Sequence, residues 1–141
     1  TILSVEQFTE ADRTACQTLP RLQTRYLAAF HAGGLSIRGE IPRLFVVLDE
    51  TTNNILDSRV LKEHQRMSPD VLATLLRIFQ GRNAMKQSGL PREFLTNSKL
   101  LYDLIKRDVS KLGIRVVCSR QVPHLDFVLQ DFFQFLEHRS R

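Results

Sequence analysis

Six consecutive residues, Leu44-Phe45-Val46-Val47-Leu48-Asp49, carry no polar side chain until the last position. Apolar and polar positions alternate in a strand with one wet face, so an unbroken apolar run marks a strand buried on both faces. Pro42 precedes it and Glu50-Thr51-Thr52-Asn53-Asn54 follows, which predicts the centre of a sheet at residues 44–49. Asn53 and Asn54 tolerate left-handed backbone, and the chain is expected to turn back there into a second strand at residues 55–61. That segment alternates imperfectly, with Leu56, Ser58 and Val60 on one face and Asp57 and Arg59 on the other. A strand nearer the edge of a sheet has this pattern.

The remaining periodicity is mostly helical. Ser4 with Gln7 fits a capping box, Val5, Phe8, Ala15 and Leu19 form an incomplete stripe, and Pro20 suits the first turn of a second helix with Leu22, Tyr26 and Phe30 at i+4 spacing. Gly33-Gly34 would end it. Ser68-Pro69-Asp70 reads as a helix start, followed by the apolar face Leu72, Leu75, Leu76 and Phe79, with Gly81 or the Gly89 to Pro91 loop as its limit. Phe94-Leu95-Thr96 reads as a third strand. Asn97 or Ser98 caps the next helix, whose Leu101, Leu104, Ile105 and Leu112 face the core, with Gly113 at the left-handed terminal position. Ile114-Arg115-Val116-Val117-Cys118 is the fourth strand. Leu125, Val128, Leu129, Phe132, Phe133 and Leu136 then give the most regular stripe in the chain, after Val122-Pro123.

The expected fold is α/β: a small mixed sheet, made of a hairpin and strands joined by crossover helices, with helices on its faces and a helical segment ahead of it. The expected division is a helical N-terminal segment over residues 1–40, serving as a variable cap or a linker, and an α/β domain over 41–141. With 141 residues, 43% of them hydrophobic and 25% charged, the chain has material for one core. No apolar run approaches a membrane span and no leader pattern stands at the N-terminus, so the expected setting is cytoplasmic, without membrane contact. The start at Thr1 rather than methionine fits either a trimmed chain or a piece of a longer protein.

Charge changes the picture more than composition does. Residues 59–120 hold 13 basic against 5 acidic side chains, whereas the segments on either side carry a slight acidic excess. Such an excess suits nucleic acid or an acidic partner, and the alternative is a solvated helix surface, since aromatic residues do not interleave with the basic ones. The candidates are Arg77, Arg82 and Lys86 on one predicted helix and Lys99, Lys106, Arg107 and Lys111 on another. Cys16 and Cys118 form no CxxC pair and read as buried thiols. His31, His64, His124 and His138 share no ligand spacing, so neither a metal site nor a cofactor is expected.

Two resemblances add to this reading. Leu90-Pro91-Arg92-Glu93 entering a strand, Lys111-Leu112-Gly113-Ile114 between helix and strand, and Val122-Pro123-His124-Leu125-Asp126 opening a helix resemble an uncharacterised bacterial domain family over roughly residues 41–137. That family also carries a segment similar to residues 44–61, and it brings no known activity with it. More distantly, the order of elements resembles the ribonuclease H-like core of integrases and transposases. There an aspartate on the first strand, an acid after a later strand and an acid on a following helix hold two metal ions for phosphodiester chemistry. The resemblance places Asp49 first and Asn97 second, an amide where a carboxylate belongs, with Asp126 or Asp131 third. It implies Mg²⁺ only for a working nuclease. The hairpin supplies two strands where that core begins with three.

No nucleophile, base and orienting group assemble in the sequence. The expected function is therefore a non-catalytic interaction or accessory module, with a protein partner or a fused domain. Nucleic-acid binding through a basic face is the alternative, and a degenerate metal-dependent nuclease the second. Asp49 also has a structural role open to it, accepting hydrogen bonds from the turn beside Thr51-Thr52. Phe127 and Phe135 lie off the main stripe of the last helix; the N-terminal segment or a second copy in a homodimer is expected to cover them.

Overall fold

A computed structural model describes residues 8–32, 43–61, 67–120, 122, 125, 127, 128, 130 and 131. In chain order the elements are α1 (Glu10–Gln17), β1 (Arg25–Ala32), β2 (Arg43–Asp49), β3 (Ile55–Leu61), α2 (Met67–Phe79), β4 (Glu93–Thr96), α3 (Lys99–Ser110) and β5 (Arg115–Cys118). The expected Ser4 cap, the Gly33-Gly34 stop and the helix-side residues Asp126, Leu129, Phe132, Phe133, Phe135 and Leu136 lie outside the described residues.

The five strands form one mixed sheet in the order β3-β2-β1-β4-β5. β2 pairs antiparallel with β1 and β3, while β1, β4 and β5 run parallel. The apolar run of β2 is buried as expected, with Phe45, Val46, Val47 and Leu48 fully enclosed. The centre of the sheet, however, is β1. This corrects the helical expectation for residues 20–33. Leu22, Tyr26 and Phe30 stand four apart, a spacing that serves a helix face and every second position of one strand face alike. Pairing decides between them. Tyr26 to Ala29 are buried, with β2 on one side and β4 on the other, and a strand hydrogen-bonded along both edges overrides the helix propensity of Ala28 and Ala29. The β1 and β4 pairing extends upstream, where Leu22 N–H donates to the Leu90 carbonyl at 2.8 Å and Leu90 N–H to the Pro20 carbonyl at 2.9 Å. The antiparallel start therefore has three strands, not two.

The helices pack as the stripes predict. One sheet face presents Tyr26, Ala28, Phe45, Val47 and Phe94 to Val71, Leu75, Ile78 and Phe79 of α2 and to Leu101, Ile105 and Val109 of α3. The other presents Leu27, Ala29, Val46, Leu48 and Leu95 to Val122 and Leu125, in a stretch where the described residues 125, 127, 128, 130 and 131 are helical. Each fully enclosed side chain of this size stabilises the fold by about 1.5–3 kcal/mol.

Local chemistry fixes the element ends. Thr9 Oγ1 accepts from Asp12 N–H at 3.1 Å and the Asp12 carboxylate accepts from Thr9 N–H at 3.0 Å, a reciprocal cap for α1. Phe8 N–H donates to buried Asp108 on α3 at 3.0 Å, which ties the N-terminal helix to the core. Ser98 caps α3 through Leu101 N–H at 3.2 Å. Asn53 turns the β2–β3 hairpin at φ 61°, and Gly113 follows α3 at φ 81°. α2 starts at Met67, one residue ahead of the expected Ser68 cap, and stops at Phe79 before Gly81.

Candidate functional site

Because β2 opposes its neighbours, Asp49 at its finish lies beside the starts of the parallel strands, directly across from Tyr26 of β1. It is on the second strand, not the first, and it is 3% exposed. Its Oδ1 accepts from Thr51 N–H at 3.0 Å and from the Thr24 hydroxyl. Its backbone closes the turn: Asp49 N–H donates to the Asn54 carbonyl at 2.9 Å and its carbonyl accepts from Asn53 N–H at 2.8 Å. The side chain thus joins the hairpin turn to the chain entering β1. Burial, and after it the charge of Asp49, push the Tyr26 phenol up to about 12, and the Tyr26 hydroxyl has no hydrogen-bond partner.

Asn97 lies at the other end, past the finish of β4. Thr96 pairs with Ala28, which puts Asn97 three residues along the strands from the level of Tyr26 and Asp49. That is about 10 Å along the strands and two strand spacings, about 10 Å, across them. Asp131 is exposed and helical, and Asp126 is outside the described residues. Asp57 is held by Arg59 at 3.6 Å and by its neighbour Ser58 N–H at 2.8 Å. Among the described residues no group of three or more His, Cys, Asp or Glu side chains could hold a metal ion. Burial pushes the Cys16 thiol up, with Asp12 adding to it, and Cys118 is partly exposed.

The basic candidates divide into separate sets. Arg77 turns toward Thr74, 3.3 Å away, and its Nε is buried without a partner. Arg82, bonded to Gln80, and Lys86 line an open groove of about 630 Å³ along β3, at one lateral edge of the sheet. Lys99, Lys106, Arg107 and Lys111 are exposed along or just past α3, which packs on β4 and β5 at the other edge. Lys99 and Lys106 each stand 5.0 Å from the Tyr102 ring centre, so an aromatic residue does interleave with the basic ones. A hydrogen bond to Tyr102 raises the Lys106 ammonium pKa, its largest cause. The i, i+3, i+7 spacing of Lys99, Tyr102 and Lys106 is the signal that would have revealed this stack.

A charged row at the strand starts carries no local sequence signal. Register places Glu93 between Arg25 and Arg115. Arg25 binds Glu50 at 2.5 Å and Glu93 at 3.2 Å, and its pKa is raised first by the Glu50 hydrogen bond. Arg21 lays its guanidinium against Gly113, where a Cβ would meet it at 2.8 Å. Arg115 N–H reaches the Arg92 carbonyl at 3.4 Å, so three segments bring Arg21, Arg92, Lys111 and Arg115 to one end of the sheet, with Arg92 on the face opposite Arg115.

Among the described residues no helix is long and apolar enough to cross a membrane. The fold is similar to that of a chain in the cryo-electron microscopy structure of the simian T-cell lymphotropic virus intasome in complex with the PP2A regulatory subunit B56 gamma. The identity is 18% and the TM-score 0.50, over 85% of this chain and 45% of that one, so this chain spans under half the length of the protein it matches. None of the curated proteins matches this chain. A family profile described as "Domain of unknown function (DUF6930)" covers residues 21–133, from the entry into β1 to the C-terminal helical residues, and the chain belongs to that family.

Proposed function

We propose that the chain is a non-catalytic module built on a ribonuclease H-like core, working as the interaction or accessory part of a larger assembly in a cytoplasmic setting. Three antiparallel strands followed by α2, β4, α3 and β5, with β2 alone running against the others, support that core. So does the likeness to the intasome chain.

The observation that carries the reading is the separation of the would-be acids. Two metal ions about 3.5–4 Å apart need carboxylates converging on one point. Asp49 is engaged in the hairpin turn at the opposite end of the sheet from Asn97. The first strand, Arg-Tyr-Leu-Ala-Ala-Phe-His-Ala, holds no acid, and Asn97 offers a neutral oxygen where charge is needed. Incubation with single- and double-stranded DNA and RNA in Mg²⁺ or Mn²⁺, beside an Asp49→Asn variant, tests it. The expected outcome is no cleavage by either protein. Metal-dependent cleavage lost in Asp49→Asn would overturn the reading.

A second reading, nucleic-acid binding through a basic face, is favoured by the convergence of Arg21, Arg92, Lys111 and Arg115 at the strand starts. It is compatible with the first, since binding a phosphate backbone requires no carboxylates.

A further inference from the structure

We infer that Arg21, Arg92, Lys111 and Arg115 form a docking surface for the phosphate backbone of nucleic acid, at the end of the sheet where β1, β4 and β5 begin. The inference rests on the second reading and assigns it a place.

The four cations come from three stretches of chain that the fold draws together. Residues 20–22 pair with Leu90, which carries Arg21 toward the end of the sheet. Gly113 has no side chain, and the Arg21 guanidinium occupies the space one would fill. Arg115 follows two residues later and Lys111 precedes by two, while Arg92 joins Arg115 through the backbone. All four side chains are exposed. Among the described residues none of them has a carboxylate within 4.0 Å, because the nearby acids are engaged elsewhere: Glu50 and Glu93 by Arg25, and Asp108 by Phe8 N–H. Among the described residues Arg25, Arg59 and Lys99 have such partners, while Arg82 and Lys86 at the far edge have none but lie apart from this end of the sheet.

Two properties select nucleic acid over an acidic protein. Three of the four cations are arginines, whose planar forks match phosphate oxygens bidentately. A protein interface also needs an apolar centre, and the exposed large apolar side chains among the described residues, Val60, Leu100 and Phe127, all lie outside these segments. Phosphate contacts position a backbone without reading bases, so little sequence preference is expected.

The test is fluorescence anisotropy with a labelled mixed-sequence 24-base-pair DNA duplex, its single strand and an RNA of the same sequence, with poly-glutamate as competitor. Four phosphate contacts predict that raising salt from about 50 to 200 mM weakens duplex binding on the order of 100-fold. Arg92→Glu/Lys111→Glu should lose at least about tenfold in affinity with an unchanged melting curve, and Arg21→Ala/Arg115→Ala about three- to tenfold. Arg82→Glu/Lys86→Glu, at the far edge of the sheet, should change binding less than about threefold. Absence of binding at low salt, equal loss in the far-edge variant, or displacement by poly-glutamate as effective as by unlabelled duplex would each overturn the assignment. Failure to bind, without cleavage, would leave the non-catalytic reading intact. Cleavage would remove that reading and leave the docking surface standing.

Discussion

The two ends of the sheet differ in chemistry although the same strands build both. At the strand starts Asp49, Glu50, Arg25, Glu93, Arg115, Arg92 and Arg21 gather. At the finish of β4 and β5 the chain places Thr96, Asn97, Cys118 and Ser119, none of them charged, at the level of Ala28 and Ala29, and Lys99 and Asp103 at the start of α3 pair with each other. An enzyme of this architecture would concentrate its carboxylates where the strands finish, because parallel strands open their crevice there. Here Asp49, Glu50 and Glu93 are at the opposite end, each already committed to a turn or to an arginine. The same layout of strands can thus serve as a scaffold for chemistry or for docking, depending on which end carries unpaired charge.

The contrast depends on a rigid middle joining the ends, and the largest effect comes from breaking it. Val47→Asp buries an unpaired charge on an interior strand, at a cost of several kcal/mol against a total stability of about 5–15 kcal/mol. Soluble expression and the cooperative melt should both be lost; a well-folded Val47→Asp protein would contradict the packing described.

Next in size is the tie at the strand starts. Asp49→Ala removes the acceptor for Thr51 N–H and Thr24 Oγ1 and should cost about 2–3 kcal/mol in urea unfolding, since buried donors are left unmade. Asn97→Ala, at the finish of β4, removes no charged acceptor and should cost less. Similar costs at both positions would erase the distinction.

A smaller effect appears with pH. The Tyr26 phenol stands near 12 in the folded chain, against about 10 when unfolded. Between those values the folded state holds a proton that the unfolded state has released. Stability is therefore fully present below about pH 10 and falls as pH rises through about 12. Burial of Cys16 acts in the same direction. Tyr26→Phe should flatten this slope in denaturation measured from pH 8 to 12. It should otherwise be neutral or mildly stabilising, because the hydroxyl it removes has no partner.

The smallest effect concerns the lysine and tyrosine stack. Lys99→Ala breaks an exposed ion pair with Asp103, 3.1 Å apart, and should change stability by less than about 0.5 kcal/mol, with the difference vanishing at high salt.

How much of this was legible depends on whether the signal is local. The buried run of β2, the Asn53 turn, the α3 cap at Ser98 and the glycine after α3 are local statements, and the chain follows them. β1 was not legible, since the i+4 spacing of Leu22, Tyr26 and Phe30 fits both periods and only β2 and β4 on its flanks decide between them. The position of Asp49 failed with it. Once β1 is the first strand, the run ending at Asp49 becomes the antiparallel second, and the aspartate moves to the far end. The row from Glu50 to Arg115 draws on four strands far apart in sequence, so only register could bring it together.

The claim that the strand finishes gather no carboxylate set able to hold a metal ion can be tested without substrate or mutation. Two-dimensional NMR of ¹⁵N-labelled protein, titrated with substoichiometric Mn²⁺, broadens the amides nearest any carboxylate set able to hold the ion. The account predicts no selective broadening of Ala29, Thr96, Asn97 and Ser98; selective, chelator-reversible broadening of those amides would contradict it.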